Sequence, residues 1–370
     1  MRIMHVIDGL QLGGAERMLV DIANATAEDG HAVSVCVTRT EADLGGELRR
    51  DVPLWILGRQ KRFDWLAMWR FAKKIRADKI ELLHAHQRST FAFLALLKTL
   101  GLVRVPIVLH DHFGQIEIDQ SVPLWFRAWG RFCVGHYVGV YQRLADWAAA
   151  GGVDRSRIDA IGNAQDLRRL QQAPAKDLRR EFSIRDDELI GITVAGLRHE
   201  KGIHVLLAAL AQRTSKRLIK ILVVGGTRDT GYVEKCRAQT AALRLEGTVI
   251  FAGERADVPG LINGADFALL PSISESGPLV LVEYMAGGLP FVATRVGDIS
   301  NRVATLGVPD FVAPDDAAGL AQKLDRLLSL SNDEWVERKK LGRKVAQKYF
   351  DLRATMPQWY AVYQKTLRAA

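Results

Sequence analysis

Residues 3–23 read IMHVIDGLQLGGAERMLVDIA: an apolar run at 3–7, a loop with paired glycines at Gly13 and Gly14, then Met18, Leu19, Ile22 and Ala23 along one helical face. This is one strand–loop–helix unit, and the same alternation repeats outward from it. Apolar runs recur as HAVSVCV (31–37), PLWIL (53–57), IELLHAH (80–86), PIVLH (106–110) and HYVGVY (136–141). A second series follows: LIGITVA (189–195), IKILVVG (219–225), TVIFAG (248–253), DFALLP (266–271) and PFVAT (290–294). Strands separated by helices predict parallel sheets, because a parallel neighbour is reached only by a long crossover. The polar stretch at 165–188 carries charge, Ala and Pro but no strand pattern, and separates the two series. The expectation is an α/β chain of two doubly wound parallel-sheet, Rossmann-like domains. They span 1–165 and 189–345, joined by a linker at 166–188. A helical tail at 346–370, with Trp359, Tyr360 and Tyr363, is expected to pack back on the first domain.

Composition agrees with two full cores. The 370 residues are 48% hydrophobic and 25% charged, which excludes intrinsic disorder. Cys36, Cys133 and Cys236 lie far apart with no Cys-x-x-Cys spacing, so neither a disulfide framework nor a structural zinc site is expected. The start lacks the pattern of a secretory signal, and no stretch reaches the roughly 18 apolar residues of a membrane span. A cytoplasmic location is expected. The net charge of +9 points to an anionic partner: nucleic acid, anionic lipid or a phosphorylated small molecule.

In doubly wound sheets ligands bind where strands run into loops at their carboxyl ends, so those loops carry the search for chemistry. Gly13-Gly14 enters a helix N-terminus whose amides suit an anion or a sugar hydroxyl, although a plain tight turn needs the same residues. The spacing is not Gly-x-Gly-x-x-Gly, so a dinucleotide fingerprint is absent. Gly196-Leu197-Arg198-His199-Glu200-Lys201-Gly202 again leads from strand to helix. Cations there oppose the helix dipole, so Arg198 and Lys201 read as placed for a phosphate, or else as solvated charges with Glu200 as partner. The third loop, Pro271 to Leu279, precedes a short helix that Gly287, Gly288 and Pro290 end. Pro278 suits its first turn, and Ser276 or Gly277 its cap. Glu275 lies in the loop and Glu283 more than a turn inside the helix. One loop and helix cannot place two carboxylates on opposite sides of a glycosidic bond, so a binding role is favoured over hydrolysis.

These segments together resemble the retaining glycosyltransferases of family 4, the group 1 glycosyl transferases, which have the GT-B fold. The resemblance spans nearly the whole chain. It rests on Gly13-Gly14-Ala15-Glu16, on Asn163 and Asp166, on Lys201-Gly202 and above all on ESGPLVLVE at 275–283 with Ala286, Gly288 and Pro290 following. It implies two domains facing across a cleft and transfer of a sugar from a nucleotide diphosphate sugar to an acceptor hydroxyl. Configuration would be retained, with no metal and no other cofactor. Lys201 would bind the donor phosphates, Glu283 the ribose hydroxyls and Glu275 the sugar hydroxyls. Gly277, Pro278 and Leu279 would offer backbone contacts, and Gly13 and Gly14 would face donor phosphates and acceptor. His112 would touch the donor sugar and, with Glu275 and Lys201, form the catalytic set. The sequence departs from the family at Gly196, where an arginine is usual; Arg198 is the available substitute. That departure also motivates a second reading, a catalytically inactive, transferase-like binding subunit.

His84-Ala85-His86 and His110-Asp111-His112 invite a metal reading, but no carboxylate completes a set, so structural histidines are favoured. Residues 49–79 hold ten basic residues against three acids, and their aromatics Phe63, Trp65 and Trp69 alternate with Lys73, Lys74 and Arg76. Such a segment suits an anionic membrane surface, as a lipid-linked acceptor at the inner face of the cytoplasmic membrane would require, or a crossover helix covering the sheet. No nucleic-acid motif accompanies the charge, so no specific nucleic acid is expected.

Overall fold

The computed structural model describes residues 1–370 except Leu12, Thr40, Glu41, Gln115, Glu117, Ile118, Thr227, Arg228, Ser276 and Ala370. The chain forms two compact units, one made of 1–165 and 352–370, the other of 166–351.

The first unit is built on seven strands: β1 (Arg2–Ile7), β2 (Ala32–Val37), β3 (Leu54–Ile56), β4 (Leu82–His86), β5 (Ile107–Asp111), β6 (His136–Gly139) and β7 (Ile158–Ala160). They pair in parallel in the order β3-β2-β1-β4-β5-β6-β7. Successive side chains alternate between faces. Met4, Val6, Leu83, Ala85, Ile107 and Leu109 thus join one core with Met68, Phe71, Leu94, Phe126 and Trp147. Ile3, Leu82, Val108 and Val138 join another with Met18 and Ile22. That second core is closed by the helix Leu352–Arg368, which contributes Leu352, Met356, Trp359, Val362 and Tyr363. The backbone N–H of Leu352 donates to the carbonyl of Gln165 at 2.9 Å, and Arg353 pairs with Glu28 and Asp29.

The second unit has six strands: β8 (Leu189–Val194), β9 (Ile219–Val224), β10 (Val249–Gly253), β11 (Phe267–Leu270), β12 (Phe291–Thr294) and β13 (Phe311–Val312). Their order is β10-β9-β8-β11-β12-β13, again parallel. In each sheet the winding direction reverses once, between β1 and β4 and between β8 and β11. The loops leaving those strands diverge and open a crevice.

Every apolar run named from the sequence is a strand. The two strands not anticipated, β7 and β13, are short edge strands. Residues 166–188 are no bare linker. They carry the helices Arg168–Gln172 and Leu178–Phe182, and Leu170, Leu178 and Ile184 enter the core of the second unit beside Leu261, Ile262 and Tyr284. Their apolar anchors are single residues among charges, too sparse to show a period. The helix Asn332–Tyr349, opened by a capping box of Ser331 and Glu334, also stays with the second unit. Val345, Ala346 and Phe350 are buried in its core, so the chain passes back to the first unit after Asp351, beyond the boundary expected at 345.

Candidate functional site

In the second unit, β8 and β11 are adjacent, so their loops start side by side. Gly202 closes the first loop with φ +64°, and a Cβ there would stand 2.0 Å from the carbonyl oxygen of Pro271. Only glycine lets the two backbones approach so closely. The loops are also stitched together: the N–H groups of Ile273 and Ser274 donate to the carbonyl of Glu200 at 2.7 and 3.3 Å. This contact brings Lys201 to Glu275, Nζ to Oε1 at 2.5 Å, with Ser272 Oγ donating to the same oxygen at 3.0 Å. Both side chains of the pair are mostly enclosed. Arg198 is exposed and has no ion pair among the described residues. The lysine therefore holds a carboxylate, while the arginine beside it points to solvent.

The following helix runs Leu279–Gly287, capped by the backbone of Pro278 without a side-chain bond. The cap is thus not Gly277, and Ser276, the other residue expected there, lies outside the described residues. The first-turn amides of the helix have no intrahelical acceptor. Gly288 ends it at φ +71°. Glu283 does not join the Lys201–Glu275 pair; its Oε1 accepts from Arg169 Nη2 at 2.8 Å, with Glu283 only 12% exposed. Arg169 was missed from the sequence because it lies in the segment read as a linker. The one available signal was that an acid inside an apolar helix requires a cation from elsewhere.

In the first unit Gly13 caps the helix Gly14–Glu28 in extended conformation, and its carbonyl accepts from Arg17 N. Glu16 in the first turn accepts from Gln87 Nε2 at 3.1 Å. Asp8, at the end of β1, holds Arg59 at 3.0 Å and accepts from Thr38 Oγ1 at 2.5 Å. At the end of β5, Asp111 is locked by Arg88 Nε and Tyr137 OH, both at 2.6 Å, and Arg88 lies 3.6 Å over the Trp147 ring.

The opposite face of the same strands carries histidines. β1 pairs His5 with His84 and β5 pairs His110 with His86, while His84–His86 and His110–His112 are two apart. All five rings thus share one face, on which Trp359 packs against His84 and His110, and Tyr363 against His84. His110 and His112 approach to 3.9 Å between ring centroids. Burial pushes the His5 and His112 imidazoles down to about 3. His84, His86 and His110 are driven well below the ordinary range by the same desolvation, with neighbouring imidazoles adding to it. His112 therefore stands neutral, with Nε2 enclosed and unpartnered among the described residues.

Two doubly wound sheets of seven and six strands, each with its loop crevice at the switch point, define the GT-B architecture. HepE of Anabaena, solved in complex with UDP and glucose, superposes with TM-score 0.81 over 98% of this chain and 99% of its own, at 20% identity. WaaG, a glycosyltransferase involved in lipopolysaccharide biosynthesis, superposes with TM-score 0.68 over 94% and 95%, at 16% identity. In sequence, residues 189–330 match the glycosyl transferases group 1 and residues 12–169 match glycosyltransferase family 4. N-acetyl-alpha-D-glucosaminyl L-malate synthase of Bacillus anthracis is 27% identical over 83% of this chain and 80% of its own. The chain belongs to the group 1 glycosyltransferases of family 4.

Proposed function

We propose that the protein transfers a sugar, with retained configuration, from a UDP- or GDP-sugar to a hydroxyl of a glycan or lipid-linked acceptor in polysaccharide or glycolipid biosynthesis. The observation that carries this reading is the Lys201–Glu275 pair at the switch point of the second sheet. A diphosphate beside Lys201 would take over its ammonium and release Glu275 to accept a sugar hydroxyl. Arg198, already in solvent, is free to swing toward the same phosphates in place of the arginine missing at Gly196. Amides of Gly277 and Leu279, with the chain held by Pro278, would complete a cradle for the leaving diphosphate. Glu283, steadied by Arg169, would accept the ribose hydroxyls. From the first unit, Gly13 and Gly14 would offer amides, and neutral His112 a hydrogen bond to the sugar.

Chemically the burden falls on the leaving group. Charge grows on the diphosphate as the glycosidic bond breaks, and preset cations and amides stabilise it in an enclosed site. On this reading the transfer itself needs no metal ion. WaaG, named for lipopolysaccharide biosynthesis, supports a glycolipid or polysaccharide acceptor. A surface for that acceptor's membrane is offered by the helix Trp65–Ala77. It buries Met68, Phe71 and Ile75 but leaves Trp65 and Trp69 64% and 56% exposed among basic residues. Among the described residues no helix is long and apolar enough to cross a membrane, so attachment would be peripheral, at the cytoplasmic face.

The decisive experiment is a thermal-shift screen of UDP, GDP and their common sugars, with the product's anomeric configuration read by NMR. Stabilisation by one nucleotide family is expected, abolished in Lys201→Ala. Stabilisation that survives this substitution would sink the phosphate assignment, and an inverted product would sink retention.

A further inference from the structure

The histidine face holds more nitrogen than the protein satisfies. Among the described residues, His84 Nε2 and both ring nitrogens of His110 are buried without a hydrogen-bond partner. Leaving such groups unpaired in a core is costly. His5, His84 and His86 are fully buried, and one ring nitrogen from each lies within 4.8 Å of the other two. We infer that these three imidazoles form a binding site for a transition-metal ion inside the first unit.

Three features of the geometry fit an ion. His5 Nδ1 and His86 Nε2 stand 3.1 Å apart. Two nitrogens on one tetrahedral zinc at 2.0–2.1 Å are separated by about 3.3 Å, so the spacing suits coordination as well as a shared proton. His84 Nδ1 faces Tyr363 OH at 2.9 Å, which leaves Nε2 of that ring for a metal. A hydrogen bond on the far nitrogen is what orients a ligating histidine. Finally, His110 stands next in the row, 5.3 Å from His86 and 5.4 Å from His84 between centroids, with neither nitrogen partnered among the described residues. It is the nearest candidate for a fourth ligand.

The donor set names the class of ion. Imidazoles without thiolate or carboxylate favour zinc, copper, nickel or cobalt over magnesium or calcium, which demand oxygen. The site is roofed by Trp359 and Tyr363 on the helix Leu352–Arg368. An ion there would tie β1 and β4 to that helix through Tyr363, a structural role. The lack of a defined carboxylate, which disfavoured a metal on sequence alone, is met by the convergence of three rings from two strands. The sequence shows His84-x-His86 but cannot show that His5 stands beside it.

The test is metal content, independent of transfer activity. The full chain, free of any histidine tag, is refolded from denaturant with zinc or cobalt(II), cleared of loose ions by gel filtration and measured by elemental mass spectrometry. About one ion per chain is expected, and cobalt should give the absorption bands of a low-coordinate nitrogen site. His84→Phe and His86→Asn should abolish this binding. Tyr363→Phe should weaken it about 10- to 100-fold, and His112→Ala should leave it in place. Circular dichroism establishes that each variant is folded. Wild-type protein retaining less than about a tenth of an ion per chain after refolding overturns the proposal whatever the variants do. So does equal binding by His84→Phe, or binding lost in His112→Ala but kept in His84→Phe.

Discussion

Lys201 and Glu275 hold each other across two loops. Removing either charge leaves the other mostly enclosed and unpaired, so the pair keeps the loops in register; on the proposed function a donor phosphate would compete for the lysine. Arg169 and Glu283 form a second pair whose partners lie 114 residues apart. Here legibility divides sharply. Both glutamates were visible because Glu275 and Glu283 sit in a motif with helix punctuation. Arg169 was hidden, because nothing in a charged segment tells one arginine from its neighbours Arg168 and Arg179. Arg169→Ala should therefore destabilise the second unit by about 1–3 kcal/mol, as expected when a charge-assisted bond to a mostly buried carboxylate is lost. Denaturant unfolding measures it, and in a double-mutant cycle with Glu283→Gln the two losses should fail to add. Strict additivity would show that the bond carries no coupling.

At the level of elements, the sequence disclosed strands better than it disclosed what lies on them. Period-two reading places His84 and His86 on one face, but the register that sets His5 against His84 is a property of the sheet. The same face makes a pH prediction for metal-free protein. The folded imidazoles are depressed, to about 3 for His5 and His112, while unfolded ones titrate near 6.5. Below about 6.5 the unfolded chain binds more protons, so this contribution is fully present above that pH and is lost as pH falls toward 3. The covering Tyr363 is held neutral, its phenol pushed well above the ordinary value by burial, and supplies no offsetting charge. The melting midpoint of the first unit should thus fall between about pH 7.5 and 5; an unchanged midpoint would refute a neutral cluster. The helix Trp65–Ala77 showed the opposite limit. Its basic, aromatic composition was plain, but which aromatics were left outside was decided by packing: Phe71 is covered and Trp69 is not. Sedimentation with anionic vesicles at low salt should carry the protein down, and a Trp65→Ala, Trp69→Ala double variant should stay in the supernatant. Wild-type protein that never sediments would refute the membrane surface.

Across the whole molecule, two sheets followed from repeated strand–helix alternation, and the three motif loops fell where strand order reverses. The division of the chain was less legible. Segment 166–188 read as a linker and residues from 346 onward as a tail, yet a few buried anchors such as Leu170 and Phe350 belong to the second core. Trp359 shows how much the first core relies on a distant segment. It is fully buried, and its indole Nε1 has no hydrogen-bond partner among the described residues. Trp359→Ala should cost about 3–5 kcal/mol in denaturant unfolding of the first unit. Trp359→Phe should cost far less, because no polar contact is lost. Equal losses would mean the indole is held by more than packing.

The bond from Leu352 N to Gln165 O also fixes an order of events during synthesis. The second unit is one uninterrupted stretch and can fold as it leaves the ribosome. The first unit has its seven strands early but must wait for the helix Leu352–Arg368, which emerges only after all of 166–351. Until then Ile3, Leu82, Val108 and the row of histidines lack the cover of that helix and have only the helix Gly14–Glu28 beside them, a partly exposed sheet surface of the kind that chaperones hold. A stall in translation anywhere within the second unit would therefore leave the first one open, and the nascent chain would be most prone to aggregate through a face that the finished protein conceals completely.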